Sequence, residues 1–358
     1  MSRSCVVLLS GGLDSLLAIR LMALQGVGVV VVHALNCFHG SEAVAARKER
    51  LTADSLRLGA GEIVFPDLTD EVIAVTRKAR FGYGRYWNAC IDCRLQTVRA
   101  GFRIMKERGA DFVVSGEVVG QRPMSQRRDA MTLADREVAS WGYGGLFLRP
   151  LSAKLLEKTI PEQEGWIGPD CLYDISGRSR DRQMALAEEL NLGRYPTPAG
   201  GCLLTDGGFS GRLGDLMRFT PDWVAADVEL LKVGRHFLPA GRTRIVVSRD
   251  ENENARIEEL SRPGDLLYLN DEQHGAIVML RGEATPEADA MAAGLAIHYS
   301  KMRETGRARV ARWRRTPEET ERVELDAVVV SPDAARGAEA VMKASPDSPP
   351  PVKKSKTA

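Results

Sequence analysis

The 358-residue chain has no apolar run long enough to cross a membrane; Val6 to Leu9 and Val27 to Val32 are of strand length. Gly11, Gly12 and Asp14 interrupt the early apolar stretch, and no small-residue cleavage site follows, so it does not read as a signal peptide. The charge is balanced, with 49 Lys and Arg against 48 Asp and Glu, or +1 net. A balanced molecule has no global field, so any nucleic-acid contact must come from a local basic patch. Six cysteines are too few for a disulfide scaffold, and without a leader their uneven placement reads as metal or redox chemistry in a reducing compartment. No internal repeat is present. The expectation is a soluble cytoplasmic protein of ordinary composition, with no membrane partner and an oligomeric state the sequence does not give.

What is present is alternation. Cys5 to Leu9 reads as a buried strand, Leu16 to Leu24 as a helix ended by Gly26, Val27 to Leu35 as a strand, Ala43 to Leu58 as an amphipathic helix and Glu62 to Phe65 as a strand. That order predicts an α/β fold, a parallel doubly wound sheet with helices on both faces. Thr97–Glu107 and Met131–Ser140 (helices), Phe112–Ser115 and Leu146–Leu151 (strands) and Ser179–Leu192 (helix) continue it, and Gly200-Gly201-Cys202 closes a first domain set at residues 1–206. From Asp222 the texture changes. Strands at Arg242–Val247, Leu266–Leu269 and Ala276–Leu280, with helices at Asn252–Leu260 and Glu287–Tyr299, predict a smaller α+β domain over residues 207–330. Residues 331–358 are rich in Pro, Ser, Lys and Ala and read as a disordered tail.

Ser10-Gly11-Gly12-Leu13-Asp14-Ser15 lies between the first strand and the first helix. Two glycines let the backbone approach an anion, Ser10 and Ser15 offer hydroxyls, and the helix start adds free N–H groups. Asp14 places a carboxylate suited to Mg²⁺ beside the phosphates. No Gly-Lys-[Ser/Thr] follows, which separates the loop from a Walker A loop. Ser10 to Ser15 resembles the PP-loop of the ATP pyrophosphatase superfamily. The resemblance implies cleavage of ATP between its α and β phosphates, AMP transfer to a carbonyl oxygen and displacement of AMP by a nucleophile.

Cys90 and Cys93 form a C-x-x-C pair at an expected helix start, where the dipole stabilises thiolates; Cys202 stands far away among glycines. Three cysteines suit a [4Fe–4S] cluster with an open iron, or a persulfide with a resolving thiol; structural zinc wants a fourth ligand, and no histidine is well placed. Cys5, Cys37 and Cys171 read as small buried residues. Ser115-Gly116-Glu117 and the polar run Gly120 to Gln126 follow a strand end, where ligands bind in open α/β sheets, and Gly116 and Gln121 are the expected ligand contacts. With Leu148-Arg149-Pro150-Leu151, this segment is similar to the catalytic domain of the 4-thiouridine synthases and, more loosely, the 2-thiouridylases, over roughly Val6 to Asp206. It implies sulfur transfer to a tRNA uridine, with Asp14, Cys93 and Cys202 catalytic, Cys90, Cys93 and Cys202 as cluster ligands, and a cysteine desulfurase or free sulfide as donor. Departures from that family are expected: no amino-terminal tRNA-binding module precedes the loop, no rhodanese domain is present, and the C-x-x-C pair with a distant cysteine is more like the cluster-dependent thiouridine synthases.

The segment from Arg244 to Asn254 with Pro263-Gly264-Asp265 loosely resembles the NFACT RNA-binding domain. Arg307, Arg309, Arg312, Arg314 and Arg315, with Trp313 among them, form a basic stretch suited to phosphates and a stacked base, or else a solvated helix face. The reading is an ATP-dependent tRNA sulfurtransferase. Its alternatives are a PP-loop ligase, amidotransferase or sulfurtransferase acting on a small molecule, and a nucleotide-sensing RNA-binding protein.

Overall fold

Five short strands, β1 (Ser4–Leu8), β2 (Gly28–Val32), β3 (Glu62–Val64), β4 (Phe112–Ser115) and β5 (Phe147–Leu148), pair in parallel in the order β3-β2-β1-β4-β5. The computed structural model describes residues 3–40, 42–195, 202–239, 243–270, 275–315, 320–331 and 333–335. They fall into two compact units that divide between Cys202 and Leu203. The first unit runs β1 (Ser4–Leu8), α1 (Leu13–Leu24), β2 (Gly28–Val32), α2 (Val44–Arg57), β3 (Glu62–Val64), α3 (Thr69–Arg77), α4 (Cys90–Arg108), β4 (Phe112–Ser115), α5 (Arg128–Ser140), β5 (Phe147–Leu148), α6 (Ile160–Gln163) and α7 (Asp181–Glu189).

Successive β1 side chains serve opposite faces, as the pleat requires. Cys5 and Val7 join one core with Leu16, Ile19 and Met22 of α1 and Leu186 of α7. Val6 and Leu8 join the other with Val98, Phe102 and Met105 of α4 and Val138 of α5. A strand buried on both faces reads as a continuous apolar run, and this one does. Chain order reverses between β1 and β4, so the loops after these two strands open a crevice at one end of the sheet. Helix α3 had no sequence expectation; its buried stripe is only Val72, Ile73 and Thr76. The expected strand at Leu146–Leu151 shrinks to two residues, because Pro150 starts a 3₁₀ turn reaching Leu155.

The second unit comprises α8 (Gly207–Phe219), α9 (Ala225–Leu231), β6 (Arg235–Phe237), β7 (Arg244–Val247), α10 (Glu251–Leu260), β8 (Leu266–Asn270), β9 (Val278–Arg281), α11 (Pro286–His298), β10 (Arg307–Arg315) and β11 (Thr320–Val328). Its sheet is antiparallel, in the order β11-β10-β8-β9-β7-β6, with α11 on one face. The basic stretch is therefore a strand, not a helix face: Arg307–Arg315 pairs along its whole length with the acidic β11. Order also continues past Ser331, since Ala335 is buried against the core of this unit. The rest of the expected tail, from 336, lies outside the described residues, as do Gly200 and Gly201. Among the described residues no helix is long and apolar enough to cross a membrane.

Candidate active site

The loop from Ser10 to Gly12 leaves β1 at the crevice. Gly11 takes φ +85°, a left-handed conformation that a side chain resists. Helix α1 begins at Leu13 with no side-chain cap, so its first turn keeps donors for a ligand. The Ser15 hydroxyl donates to the Gly12 carbonyl at 2.8 Å and stands 3.1 Å from the Ser10 hydroxyl, drawing the loop into a nest.

Asp14, in the first turn, is largely buried. Its Oδ2 accepts from Gln121 Nε2 at 2.6 Å and lies 3.7 Å from Arg180 Nη2. Gln183, fully buried, donates to Gln121 Oε1 at 2.9 Å, so an amide chain fixes the carboxylate. Its Oδ1 is buried and has no hydrogen-bond partner. Burial raises the Asp14 pKa, against the donated bond from Gln121 and the nearby Arg180. A buried carboxylate oxygen with nothing on it fits a cation such as Mg²⁺, which would reverse that shift. Gly116 and Gln121, expected at the ligand, both meet Asp14: a Cβ on Gly116 would lie 2.2 Å from the Asp14 carbonyl oxygen.

One residue beyond, Glu117 is buried and fully paired. It accepts from Arg94 Nε at 2.8 Å, from Arg149 Nε at 3.1 Å and from the Ser115 hydroxyl at 3.0 Å. Burial alone would raise its pKa; the Arg94 and Arg149 guanidinium groups outweigh that and hold it at about 2. Arg149, also buried, makes a 2.7 Å bond to Asp135. Arg94 follows Cys93 on α4, so this cluster ties the cysteine helix to the end of β4.

Cys90 and Cys93 begin α4 and are half-buried, whereas Cys202 is exposed. The expectation of dipole-stabilised thiolates fails at Cys93: burial, then Cys202 and Cys90, push its thiol up to about 12. Cys202, more than a hundred residues on in the chain, is thus among the groups whose charge acts on the Cys93 thiol. Among the described residues no three His, Cys, Asp or Glu side chains close on a point that could hold a metal ion. Cys5 and Cys171 are core residues, and Cys37 is buried after β2.

Sequence reasoning did not find Arg94, Arg180 or Gln183. Arg180 and Gln183 arrive through a parallel bridge between Val119 and Ser176, which leaves no local trace in the sequence. His33 was missed as well; it is buried under the loop, with Nδ1 2.9 Å from the Leu9 carbonyl.

Of the basic stretch, Arg307, Arg309 and Arg314 are exposed. Arg312 bonds Asp289 at 2.8 Å, and Arg309 lies 3.6 Å from Glu324. Trp313 is partly buried, packed against the cluster that holds Leu267 and Met279. The Arg315 backbone pairs with Thr320, and its side chain lies outside the described residues.

Comparisons with known proteins agree with the division. Residues 1–154 match the family described as Thiamine biosynthesis protein (ThiI), and residues 234–331 match the NFACT protein RNA binding domain. A probable tRNA sulfurtransferase of Methanothermobacter thermautotrophicus is 31% identical over 127 residues, 32% of this chain and 29% of that relative, so the match spans less than a third of its length. Among solved structures, a 4-thiouridine synthetase–RNA complex with bound ATP is 19% identical, covering 53% of this chain and 52% of that one, with a TM-score of 0.30. The U34-tRNA thiolase NcsA from Methanococcus maripaludis with its [4Fe–4S] cluster is 16% identical, covering 64% and 69%, with a TM-score of 0.28. Scores this low leave the fold to be read from the sheet itself. The first 154 residues thus resemble the thiouridine-synthase branch of the PP-loop ATP pyrophosphatases, and residues 234–331 resemble the NFACT RNA-binding domain.

Proposed function

We propose that the protein is a tRNA sulfurtransferase that thiolates a uridine at the expense of ATP, releasing AMP and pyrophosphate. The observation that carries the reading is Asp14, a buried carboxylate with one unpartnered oxygen on an anion-binding loop, at the sheet crevice. The names of the matching relatives supply the substrate class.

The backbone of Ser10 to Gly12, the two serine hydroxyls and the uncapped start of α1 hold the β and γ phosphates. Asp14 Oδ1, with Oδ2 held by Gln121, would hold Mg²⁺, which would neutralise phosphate charge. The uridine carbonyl oxygen attacks the α phosphorus. The bond from that phosphorus to the bridging oxygen breaks, and pyrophosphate leaves with the electron pair. The base carbon is now activated by AMP.

Sulfur follows. A [4Fe–4S] cluster would draw on Cys90, Cys93 and Cys202 and would present sulfide on its open iron. Without a cluster, the sulfur is sulfane sulfur on Cys202, the exposed cysteine, delivered as persulfide by a donor such as a cysteine desulfurase. Its terminal sulfur attacks the activated carbon, and AMP leaves carrying the former uridine oxygen. The Cys93 thiol gives up its proton and attacks the Cys202 sulfur. The sulfur–sulfur bond breaks, the thiouridine departs, and a Cys93–Cys202 disulfide remains for an external thiol to reduce.

The test is nucleoside mass spectrometry of tRNA incubated with ATP, the protein and a persulfide donor. One sulfur-containing nucleoside is expected with the wild type and none with Cys202→Ala. Undiminished thiolation by Cys202→Ala sinks the sulfur step, and absence of any thionucleoside with the wild type sinks the whole reading.

A further inference from the structure

Between α3 and the cysteine helix the chain runs Arg77-Lys78-Ala79-Arg80-Phe81-Gly82-Tyr83-Gly84-Arg85-Tyr86-Trp87, with four cations, four aromatics and no acidic residue. In a molecule of net charge +1 this is a concentrated positive patch. Arg77, Lys78, Arg80 and Arg85 are all exposed, and the aromatic rings are half-buried. Arg80 reaches one carboxylate, Glu137, at 3.0 Å and remains 67% exposed.

The segment is fastened to the site on both flanks. Buried Asp92, between the two cysteines in sequence, accepts from the backbone N–H of Arg80 at 3.0 Å and of Phe81 at 3.1 Å. On the other side Gly84 presses on Met124, so closely that a Cβ there would lie 1.9 Å from its sulfur. Met124 belongs to the loop that supplies Gln121 to Asp14. The segment therefore bridges the cysteine helix and the loop that carries Gln121. Inside it Tyr83 is scaffold: its hydroxyl donates to the Thr76 carbonyl at 2.9 Å, and its ring meets Trp87 edge to face. Tyr86 is held at φ +56°, in the left-handed region that a bulky residue avoids, and such strain collects at functional sites. The Arg80 and Arg85 guanidinium groups lie over the rings of Phe81 and Tyr86, at 4.6 and 5.0 Å from the centroids.

We propose that this loop is an RNA-docking surface, which binds unpaired nucleotides flanking the reacting uridine through Lys78, Arg80 and Arg85 and stacks a base on Tyr86. The inference rests on the tRNA reading above and adds where the substrate strand lies. Cations pair with phosphates, and aromatic rings interleaved with them need base faces that a duplex hides. That combination selects an unpaired RNA segment over a helical one.

The experiment measures binding of a labelled oligouridylate and of bulk tRNA to the full chain, as a function of salt. For Lys78→Ala/Arg80→Ala/Arg85→Ala the plot of log affinity against log salt becomes shallower by about 2, and affinity falls at least about 10-fold at low salt, since each phosphate contact on a single strand contributes about 0.7 to the slope. Tyr86→Gly, which removes the ring and suits the left-handed backbone, lowers affinity and leaves the slope alone. Arg85→Glu gives a larger loss than Arg85→Ala. Thermal melting of each variant at the wild-type temperature shows that the fold is intact. If the wild type binds and thiolates tRNA while the triple variant keeps its affinity and slope, this surface is overturned and the sulfurtransferase reading stands, even should the loop capture an acidic protein. If the wild type binds no RNA, both fall together.

Discussion

Asp14 and Glu117 are two carboxylates at the ends of neighbouring strands, and their surroundings are opposite. Glu117 has two guanidinium groups and a hydroxyl on it, and its pKa is held at about 2. Asp14 has one amide and a guanidinium at 3.7 Å, an oxygen with no partner, and a raised pKa. Burial penalises both charges; Glu117 is more than compensated from within the chain and Asp14 only in part. A satisfied buried charge is structural. An unsatisfied one is held for something the chain does not supply, and substitution should separate the two roles.

The largest effect falls on activity. Asp14→Asn keeps the shape, removes the proposed cation ligand and should reduce pyrophosphate release by about 10³-fold or more, as loss of a metal-holding carboxylate does. Its melting temperature should equal or exceed that of the wild type, because an uncompensated buried charge has gone. A marked drop in melting temperature would make Asp14 a second Glu117 and erase the contrast.

Glu117→Gln should do the reverse to stability. Breaking a buried pair leaves Arg149 with Asp135 as its one carboxylate, at a cost of about 3–5 kcal/mol. For a unit near 200 residues that is a fall of roughly 10 °C in its melting transition. The pH dependence follows in sign. The folded pKa of Glu117 lies below its ordinary 4.5, so its stabilisation is complete above about pH 4.5 and is lost as pH falls towards 2. Denaturant unfolding of the wild type should weaken across that window by on the order of 3 kcal/mol from this group, and Glu117→Gln should lack that component.

Gly116→Ala tests whether the strand end positions Asp14. The added Cβ meets backbone atoms of Asp14 and Ser15 at 2.2 to 2.6 Å, so the loop itself must shift. The apparent KM for ATP should rise about 10-fold or more, with a smaller loss of stability of about 1–3 kcal/mol. An unchanged KM would mean that the loop finds its geometry without β4.

These residues also mark how far the sequence speaks. The strand–loop–helix unit around Ser10 to Ser15 was legible because all its determinants are adjacent: strand, two glycines, two serines, Asp14, helix. The cysteine pair was legible by its spacing. The environment of the pair was not, because burial raises the Cys93 thiol and Cys202, which acts on it too, lies more than a hundred residues away in the chain. Gln183 and Arg180 escaped for the same reason. The basic stretch misled by its count of charges. Arg307 and Arg309 alternate with Ala308 and Val310, a period of two that predicts the strand seen, and the acidic residues after it are its pairing partner, not a counterweight on a helix.

That strand carries the smallest effects, and it repeats the contrast between paired and displayed charge. Arg312 is bonded to Asp289, which also accepts from the Tyr268 hydroxyl at 2.7 Å. Arg314, two residues on and on the same strand face, is exposed. Arg312→Ala should cost about 1 kcal/mol of stability, because the pair is only partly buried and the lost bond is charge-assisted. It should leave the salt dependence of tRNA binding unchanged. Arg314→Ala should change stability by less than about 0.5 kcal/mol and make the salt slope shallower by just under 1 if it meets a phosphate. Measuring both quantities on both variants is decisive: equal slopes for Arg314→Ala and the wild type would remove this strand from the RNA surface and leave the loop before Cys90 as the principal basic contact.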